Sequence, residues 1–382
     1  EIKMNNNIKN ITKKFFPLIL FLLISILFII TINEAETTLI RYVYIENLIN
    51  YEGGFVRRGL LGSILLKLNS LISITPVQSI IGVYLIFYFL MIFFFYKITK
   101  NLWNNNFYFF LLVTLSPSTL FFPLFDFDAL FRKEVFFFVV YFAHVFIAQK
   151  TILGDQSIEQ YKNQNILIIF PLLALNILIH EFQFFLIFFH FFINLIVFNN
   201  QIKKRFYLNY LFFILIFIFF IFPASNETID KINLSLEIFL PGISKEYTAI
   251  TILTGNINLQ LGQALWFLKN SSLNHYLQLI YILMLTIFLY SSLFLLFLKE
   301  KILYNPYYKK IIIFFNLYLF SIIFFFIILS FDTGRLLHIL LMHLIGFYLI
   351  FLSNNFKTFK TNFLNKNYFV IIMIIYFIFF YH

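Results

Sequence analysis

Ionisable and imidazole side chains recur in four short segments of an otherwise apolar sequence. These segments hold Glu52 with Arg57 and Arg58, the stretch Asp126 to Glu134, the pair His180-Glu181, and the stretch Asp332 to His338. An ionisable residue at membrane depth costs roughly 2.5 to 3.5 kcal/mol on insertion scales, so such residues tend to be paired or functional. We therefore expect the four segments to meet at one end of a helical bundle.

The residue types in these segments predict a phosphate cradle beside a base. Arginine binds phosphate through two parallel hydrogen bonds, and a carboxylate near several arginines stays ionised at neutral pH. The expected phosphate-binding residues are Arg57, Arg58, Arg132, Lys133, Arg335 and His338. The expected catalytic residues, any one of which could be the base, are Glu52, Asp126, Asp128, His180 and Glu181.

Purely structural interpretations compete with this one. Asp128 and Arg132 have the spacing of a helical ion pair, as do Asp332 and Arg335. The two neighbouring arginines of the first segment could instead face lipid headgroups. We interpret three acids as solvated residues of a polar face: Glu34, Glu36 and Glu46. Three isolated histidines are expected to be hydrogen-bonded packing residues: His144, His190 and His343.

The elements that must position these residues are membrane helices. The chain has 382 residues, of which 61% are hydrophobic and 12% charged, so it has too little polar surface for a soluble fold. We predict an all-α polytopic transmembrane bundle forming one domain, residues 1–382. At roughly 20 apolar residues per span, about eleven spans are expected: 15–32, 78–96, 107–122, 134–149, 165–179, 184–198, 206–223, 275–298, 311–330, 336–352 and 368–381.

The distribution of basic residues predicts the orientation of this bundle. With the N-terminus inside, 18 of the 28 Lys and Arg residues fall in inner segments, as the positive-inside rule requires. The basic balance is then a topology signal and not a nucleic-acid surface. The chain is expected in the cytoplasmic (inner) membrane, with the four ionisable segments on its outer face.

Two long outer loops follow from this orientation, at 33–77 and 224–274. Within the first loop, 36–50 and 57–70 have the spacing of amphipathic helices lying on the membrane. Gly53 and Gly54 predict a tight turn between them. The apolar run 165–198 is too long for one span, and we expect it to break into two helices at 179–183.

This layout resembles the GT-C superfamily of polytopic glycosyltransferases, with its long first outer loop, acids in that loop, and Arg or His in later outer loops. The resemblance implies a helical bundle, a polyprenyl-phosphate or polyprenyl-diphosphate sugar donor, a glycan or lipid acceptor, and a base in the first outer loop. The first-loop acids of this chain are Glu34, Glu36, Glu46 and Glu52. Glu52 is the favoured base, for its glycine turn and its neighbouring arginines.

Two other functions remain open. An O-antigen or capsule polymerase or ligase would use a similar outer site, and the loop 224–274 fits that pattern. A non-enzymatic flippase or transporter of lipid-linked oligosaccharides would line a path through the bilayer with charges. No cofactor is indicated by a motif, although outer Asp and Glu side chains could bind Mg²⁺ or Mn²⁺ without leaving a spacing signature.

Overall fold

The computed structural model describes residues 6–33, 38–105, 130–199, 208–219, 222–238, 305–329 and 333–355, together with short stretches between them at 114, 119–120, 122–125, 206, 250, 253–255, 262, 265–266 and 269–270. Regular structure in these residues is helical throughout, without a strand. This confirms the predicted all-α class for the described part of the chain.

The described helices are numbered here in chain order. Those of the first part are α1 (Asn6–Asn33), α2 (Thr38–Leu48), α3 (Gly59–Ile72), α4 (Pro76–Asn105), the single turn α5 (Phe122–Phe125) and α6 (Glu134–Ile152). The remainder are α7 (Ile158–Gln164), α8 (Phe170–Ile179), α9 (Gln183–Phe198), α10 (Asn209–Phe219), α11 (Asn226–Glu237), α12 (Pro306–Leu329) and α13 (Thr333–Asn355). A π-helical turn, Asn165–Ile169, joins α7 to α8.

Among the described residues, three helical stretches are long and apolar enough to cross a membrane: Pro76–Lys100, Glu134–Ile152 and Ile158–Ile179. Helices also occupy the described residues of the predicted spans 15–32, 184–198, 311–330 and 336–352, and α10 covers Asn209–Phe219 of the span predicted at 206–223. Most of 107–122, and all of 275–298 and 368–381, lie outside the described residues. The number of spans and their orientation stay predictions.

The segment 33–77, predicted to be an outer loop, contains the two expected helices, α2 and α3. Helix α3 meets the end of α2 at Gly62. A side chain at this position would overlap the backbone of Leu48 and Ile49, so this close approach requires glycine. The close approach buries Leu61 and Leu65 of α3 against the core. It also brings the polar residues at the end of α2 close to the start of α3. Whether the two helices lie on a membrane surface stays a prediction.

The break in the apolar run 165–198 is confirmed. Helix α8 ends at Ile179, His180 has extended backbone angles, and α9 begins at Gln183. Helix α6 lies at the centre of the bundle, buried on nearly all sides, and packs against α4, α9 and α13. The start of α6, the α8–α9 turn and the α2–α3 connection therefore meet at one end of the bundle, which positions the candidate site.

Candidate functional site

Glu46 lies at the centre of a buried ionic cluster at this end of the bundle. Its Oε1 lies 3.0 Å from Nη1 of Arg58 and its Oε2 lies 3.2 Å from Nη1 of Arg132. Its backbone carbonyl accepts a hydrogen bond of 3.0 Å from Nζ of Lys133. Glu46 is only 4% exposed, so the expectation of a solvated Glu46 is wrong. With His180 and Glu181, these residues form what we name the Glu46 cluster.

Neighbouring hydrogen bonds hold Glu46 in this position. Asn47 donates to the carbonyl of Phe131 at 2.8 Å and accepts from the hydroxyl of Tyr84 at 2.7 Å. These bonds fix the end of α2 against α4 and against the segment that carries Arg132 and Lys133. The end of α2 is therefore buried because α4 and the segment before α6 both bind it.

Arg58 connects this cluster to the α8–α9 turn. Its Nε donates to Oε2 of Glu181 at 2.9 Å and its Nη2 donates to Oε1 at 2.6 Å, a bidentate pair. The residue adopts a left-handed backbone (φ 67°, ψ 3°) immediately before α3. Such a conformation costs a non-glycine residue on the order of 1 to 3 kcal/mol and persists only where surrounding contacts hold it. Here the two carboxylates provide those contacts.

The cluster shifts the pKa of its acids downward. Burial raises the pKa of the Glu46 carboxyl, but the charges of Arg58, Lys133 and Arg132 outweigh burial and hold it below its ordinary value. Burial also raises the pKa of Glu181, and Arg58 together with His180 brings it well below the ordinary value. Both carboxylates are thus ionised at neutral pH. They are weak bases, suited to hold cations in place.

Lys133 and His180 respond to the same surroundings. Burial, partly opposed by the charge of Glu46, lowers the pKa of Lys133 to about 8. Burial and the charge of Arg58 hold the pKa of His180 well below its ordinary value, so its ring is neutral at pH 7. The amide of Phe182 donates to Nδ1 of His180 at 3.1 Å. The ring proton is therefore on Nε2, which lies 3.8 Å from Oε1 of Glu46.

A small cavity adjoins the cluster at Arg132. Its polar lining includes Arg132, Glu134, Arg335 and His338, and its volume of about 10 Å³ matches a single water molecule. Nε of Arg335 lies 2.8 Å from Oε1 of Glu134. The second carboxylate oxygen of Glu134 is buried without a hydrogen-bond partner. We name this space the Glu134 cavity; it joins the start of α6 to the start of α13.

The predicted site residues that the structure describes fall into three groups. Arg58, Arg132, Lys133, His180, Glu181, Arg335 and His338 line the Glu46 cluster or the Glu134 cavity. Arg57 lies beside them: its charge acts on Glu181, and its Nη2 donates to the carbonyl of Gly255 at 3.3 Å. Glu52 is exposed on the α2–α3 connection, and its backbone amide binds Oδ1 of Asn50. Its role as a base stays a prediction.

Several expected residues lie outside the described residues: Glu34, Glu36, Asp126, Asp128 and Asp332. Arg132 and Arg335, whose helical pairing with two of these acids was the competing structural interpretation, contact Glu46 and Glu134 respectively. Within the described part of the chain, no three His, Asp or Glu side chains are arranged to hold a metal ion.

Two acids of this site were not assigned a role from sequence. Glu46 was interpreted as a solvated residue, although it lies in a run, 43–50, in which every residue is buried. A signal existed in the apolar neighbours Val43, Ile45 and Leu48. Glu134 ends the charged stretch 126–134. Whether one of its carboxylate oxygens stays without a partner depends on the direction from which Arg335 approaches it. That approach involves residues 201 positions apart in the chain, which sequence spacing does not define.

Comparison of the chain with protein-family models, curated protein sequences and solved structures finds no significant match.

Proposed function

We propose that this chain is a membrane glycosyltransferase that moves a sugar from a polyprenyl-phosphate or polyprenyl-diphosphate donor to an acceptor hydroxyl at the outer face of the cytoplasmic membrane. The observation that carries the proposal is the convergence of two arginines on one cavity. Arg132 and Arg335 line it together with His338, and Arg58 and Lys133 lie in the adjoining Glu46 cluster. Guanidinium groups that face one cavity suit an anionic ligand such as phosphate.

The carboxylates of the Glu46 cluster and of the Glu134 cavity differ in their ability to accept a proton. Glu46 and Glu181 are bound by Arg58, which makes them anchors and poor proton acceptors. Glu134 lines the cavity together with Arg132 and Arg335, and one of its carboxylate oxygens has no hydrogen-bond partner. We therefore assign the phosphate to Arg132 and Arg335, and the base to Glu134.

The reaction follows from these assignments. Oε2 of Glu134 takes the proton of the acceptor hydroxyl, and the hydroxyl oxygen forms a bond to the anomeric carbon of the sugar. The bond from that carbon to the phosphate oxygen breaks, and the lipid phosphate leaves with the electron pair. Arg132 and Arg335 stabilise the departing charge. Because the cavity holds only about 10 Å³, donor binding must move its walls apart.

The test is transfer by the full chain in detergent from a panel of synthetic polyprenyl-phosphate and polyprenyl-diphosphate sugars. Glu134→Gln keeps the shape of the side chain but cannot take the proton, so the chemical step should fall by about 10² to 10⁴-fold while donor binding persists. Glu227→Gln, which changes an exposed acid of α11, is the matched control and should transfer normally.

Normal turnover by Glu134→Gln would overturn the assignment of the base. If Glu52→Gln then loses transfer, the base returns to the first outer loop; if Glu181→Gln does, it lies at the α8–α9 turn. Products longer than one added unit would identify a polymerase. Failure of every donor in the panel to bind or react would overturn glycosyl transfer itself.

A further inference from the structure

A groove of about 610 Å³ lies between α9 and α12, and it shares no lining residue with the Glu134 cavity. Phe191 and Leu195 belong to its α9 side, and Phe314 and Leu317 to its α12 side. The two α12 residues are 63% and 58% exposed. Of the described residues in its lining, only Lys310 is charged. We name this space the Lys310 groove.

Two tyrosine hydroxyls hold the walls of the groove together at its two ends. The hydroxyl of Tyr307, at the start of α12, donates to the carbonyl of Leu195 near the end of α9 at 2.7 Å. The hydroxyl of Tyr318, further along α12, donates to the carbonyl of Phe185 near the start of α9. The two helices are therefore antiparallel and joined at both ends of the groove. Its walls are formed by the chain alone, as is usual for ligand sites.

The length of the groove matches the hydrocarbon of one leaflet. Beyond Lys310, the groove extends along α12 to Ser321, about 16 Å at a rise of 1.5 Å per residue. The hydrocarbon core of a bilayer is about 30 Å thick, so each leaflet contributes about 15 Å. An acyl chain that begins beside Lys310 would therefore end near Ser321.

The charge of Lys310 indicates the headgroup that such a chain would have. Its side chain is exposed and forms no ion pair with any residue that the structure describes. A lysine can bury its apolar stem along a hydrophobic wall while its ammonium group stays at the polar surface. There it attracts the phosphate of an anionic lipid. The distribution of basic residues predicts that this end of α12 lies at the inner surface of the membrane.

We propose that the Lys310 groove binds one anionic phospholipid of the inner leaflet. Its phosphate lies beside the ammonium group of Lys310, and one acyl chain follows Phe314 and Leu317 towards Ser321. The occupant is a lipid because the groove combines an apolar wall of one leaflet's length with a cation at one end only. The bound lipid fills the space between α9 and α12 and stabilises their packing.

The first test measures headgroup preference. The full chain in detergent is titrated with phosphatidylglycerol or phosphatidylethanolamine of identical acyl chains, and bound lipids are counted by native mass spectrometry. The first phosphatidylglycerol should bind about fivefold more tightly, the effect expected of one lysine on an anionic lipid. Lys310→Gln should abolish this preference. Lys309→Gln removes the neighbouring exposed lysine, which does not line the groove, and should bind as wild type.

The second test fills the groove without changing its charge. Leu317→Trp places a larger ring in the path of the acyl chain, so both lipids should bind more weakly by about tenfold or more, since each buried CH₂ group contributes to binding. Ile313→Trp adds the same ring at an exposed position of α12 that does not line the groove, and should bind as wild type. Gel filtration and thermal unfolding show whether the variants fold. Lys310→Gln keeps the proposal testable should Leu317→Trp fail to fold.

Equal binding of the two lipids by wild type, or equal loss in Lys309→Gln and Lys310→Gln, would overturn the site and leave the groove as ordinary lipid-facing surface. A dimer of this chain that Leu317→Trp dissociates would make a second copy the occupant. Tighter binding of a polyprenyl phosphate than of phosphatidylglycerol, sensitive to Leu317→Trp, would overturn the choice of a phospholipid. The proposal does not rest on glycosyl transfer, because the binding assay contains no sugar donor or acceptor.

Discussion

Arg58 binds Glu181 through two parallel hydrogen bonds although the two residues lie 123 positions apart in the chain. The pair connects the α2–α3 connection to the turn between α8 and α9, and the same guanidinium also binds Glu46. A bidentate pair with side chains only 11% and 18% exposed defines the relative position of both segments. The cluster therefore depends on one arginine in a strained backbone conformation.

Removal of this arginine should destabilise the fold strongly. Arg58→Gln leaves two buried carboxylates with fewer cations, and breaking a buried pair costs about 3 to 5 kcal/mol. Arg58→Lys keeps the charge but not the fork, and should recover only part of the loss. Thermal unfolding in detergent, with a double-mutant cycle on Glu181→Gln, measures the coupling. Lys231→Gln on the exposed pair with Glu227 is the control, and its unfolding should not change. Additive effects at Arg58 and Glu181 would contradict the contact.

Lys133 should make stability depend on pH in the alkaline range. Its pKa is lowered to about 8 in the fold and stands near 10.5 in the unfolded chain, so the unfolded state binds more protons between those values. The contribution of Lys133 to stability therefore rises with pH from about 8 to 10.5. The unfolding temperature of wild type minus that of Lys133→Met should increase over this window. A flat difference would show that Lys133 titrates normally.

Glu46 should make stability depend on pH in the acidic range, opposite to that of Lys133. Glu46 has a pKa held below its ordinary value, so its contribution is complete above the unfolded pKa and is lost as pH falls through the folded one. Glu46→Gln should lower the free energy of unfolding at pH 7. It should also reduce the loss of stability on acidification, as measured by unfolding between pH 7 and 3. Glu159→Gln changes an exposed acid beside Lys162 and should leave both measurements unchanged. An acid profile identical to wild type in Glu46→Gln would refute the buried ion pairs.

Phosphate recognition should depend on bidentate hydrogen bonding by the guanidinium group of arginine and not only on its charge. Arg132→Lys and Arg335→Lys keep the positive charge, and each should weaken binding of a polyprenyl phosphate in detergent by tenfold or more if the contact is bidentate. Lys231→Arg, on exposed α11, is the control and should bind as wild type. Wild-type affinity in both variants would remove Arg132 and Arg335 from the phosphate site.

The orientation predicts which positions an impermeant thiol reagent can reach. Since the chain has no cysteine, single cysteines at Asn5, Asn226 and Asn355 report on one position each. With the N-terminus inside, only the cysteine at Asn226 should react in intact cells, whereas all three react after permeabilisation. Labelling at Asn355 in intact cells would invalidate the assignment of inner and outer loops.

Local features of the fold were readable from the sequence because they depend on neighbours along the chain. The apolar length of each run predicted helices, and the polar dipeptide His180-Glu181 predicted the break between α8 and α9. The spacing in 57–70 predicted α3, with Leu61 and Leu65 on its buried side. Hydrophobic periodicity and helix breaks act over a few residues, so one sequence contains them.

The tertiary structure decided which charges meet. By sequence Glu46 belonged to the polar face of an amphipathic helix, yet the packing of α2 against α3, α4 and the segment before α6 buries it among three cations. Arg132 and Arg335 contact Glu46 and Glu134, which lie in distant segments of the chain. The strength of an ion pair depends on the distance between its two charges and on their burial, because charges interact more strongly in a low-dielectric interior. Neither quantity is determined until distant helices pack, so the sequence indicated which residue types the site needs and only the fold selected the partners.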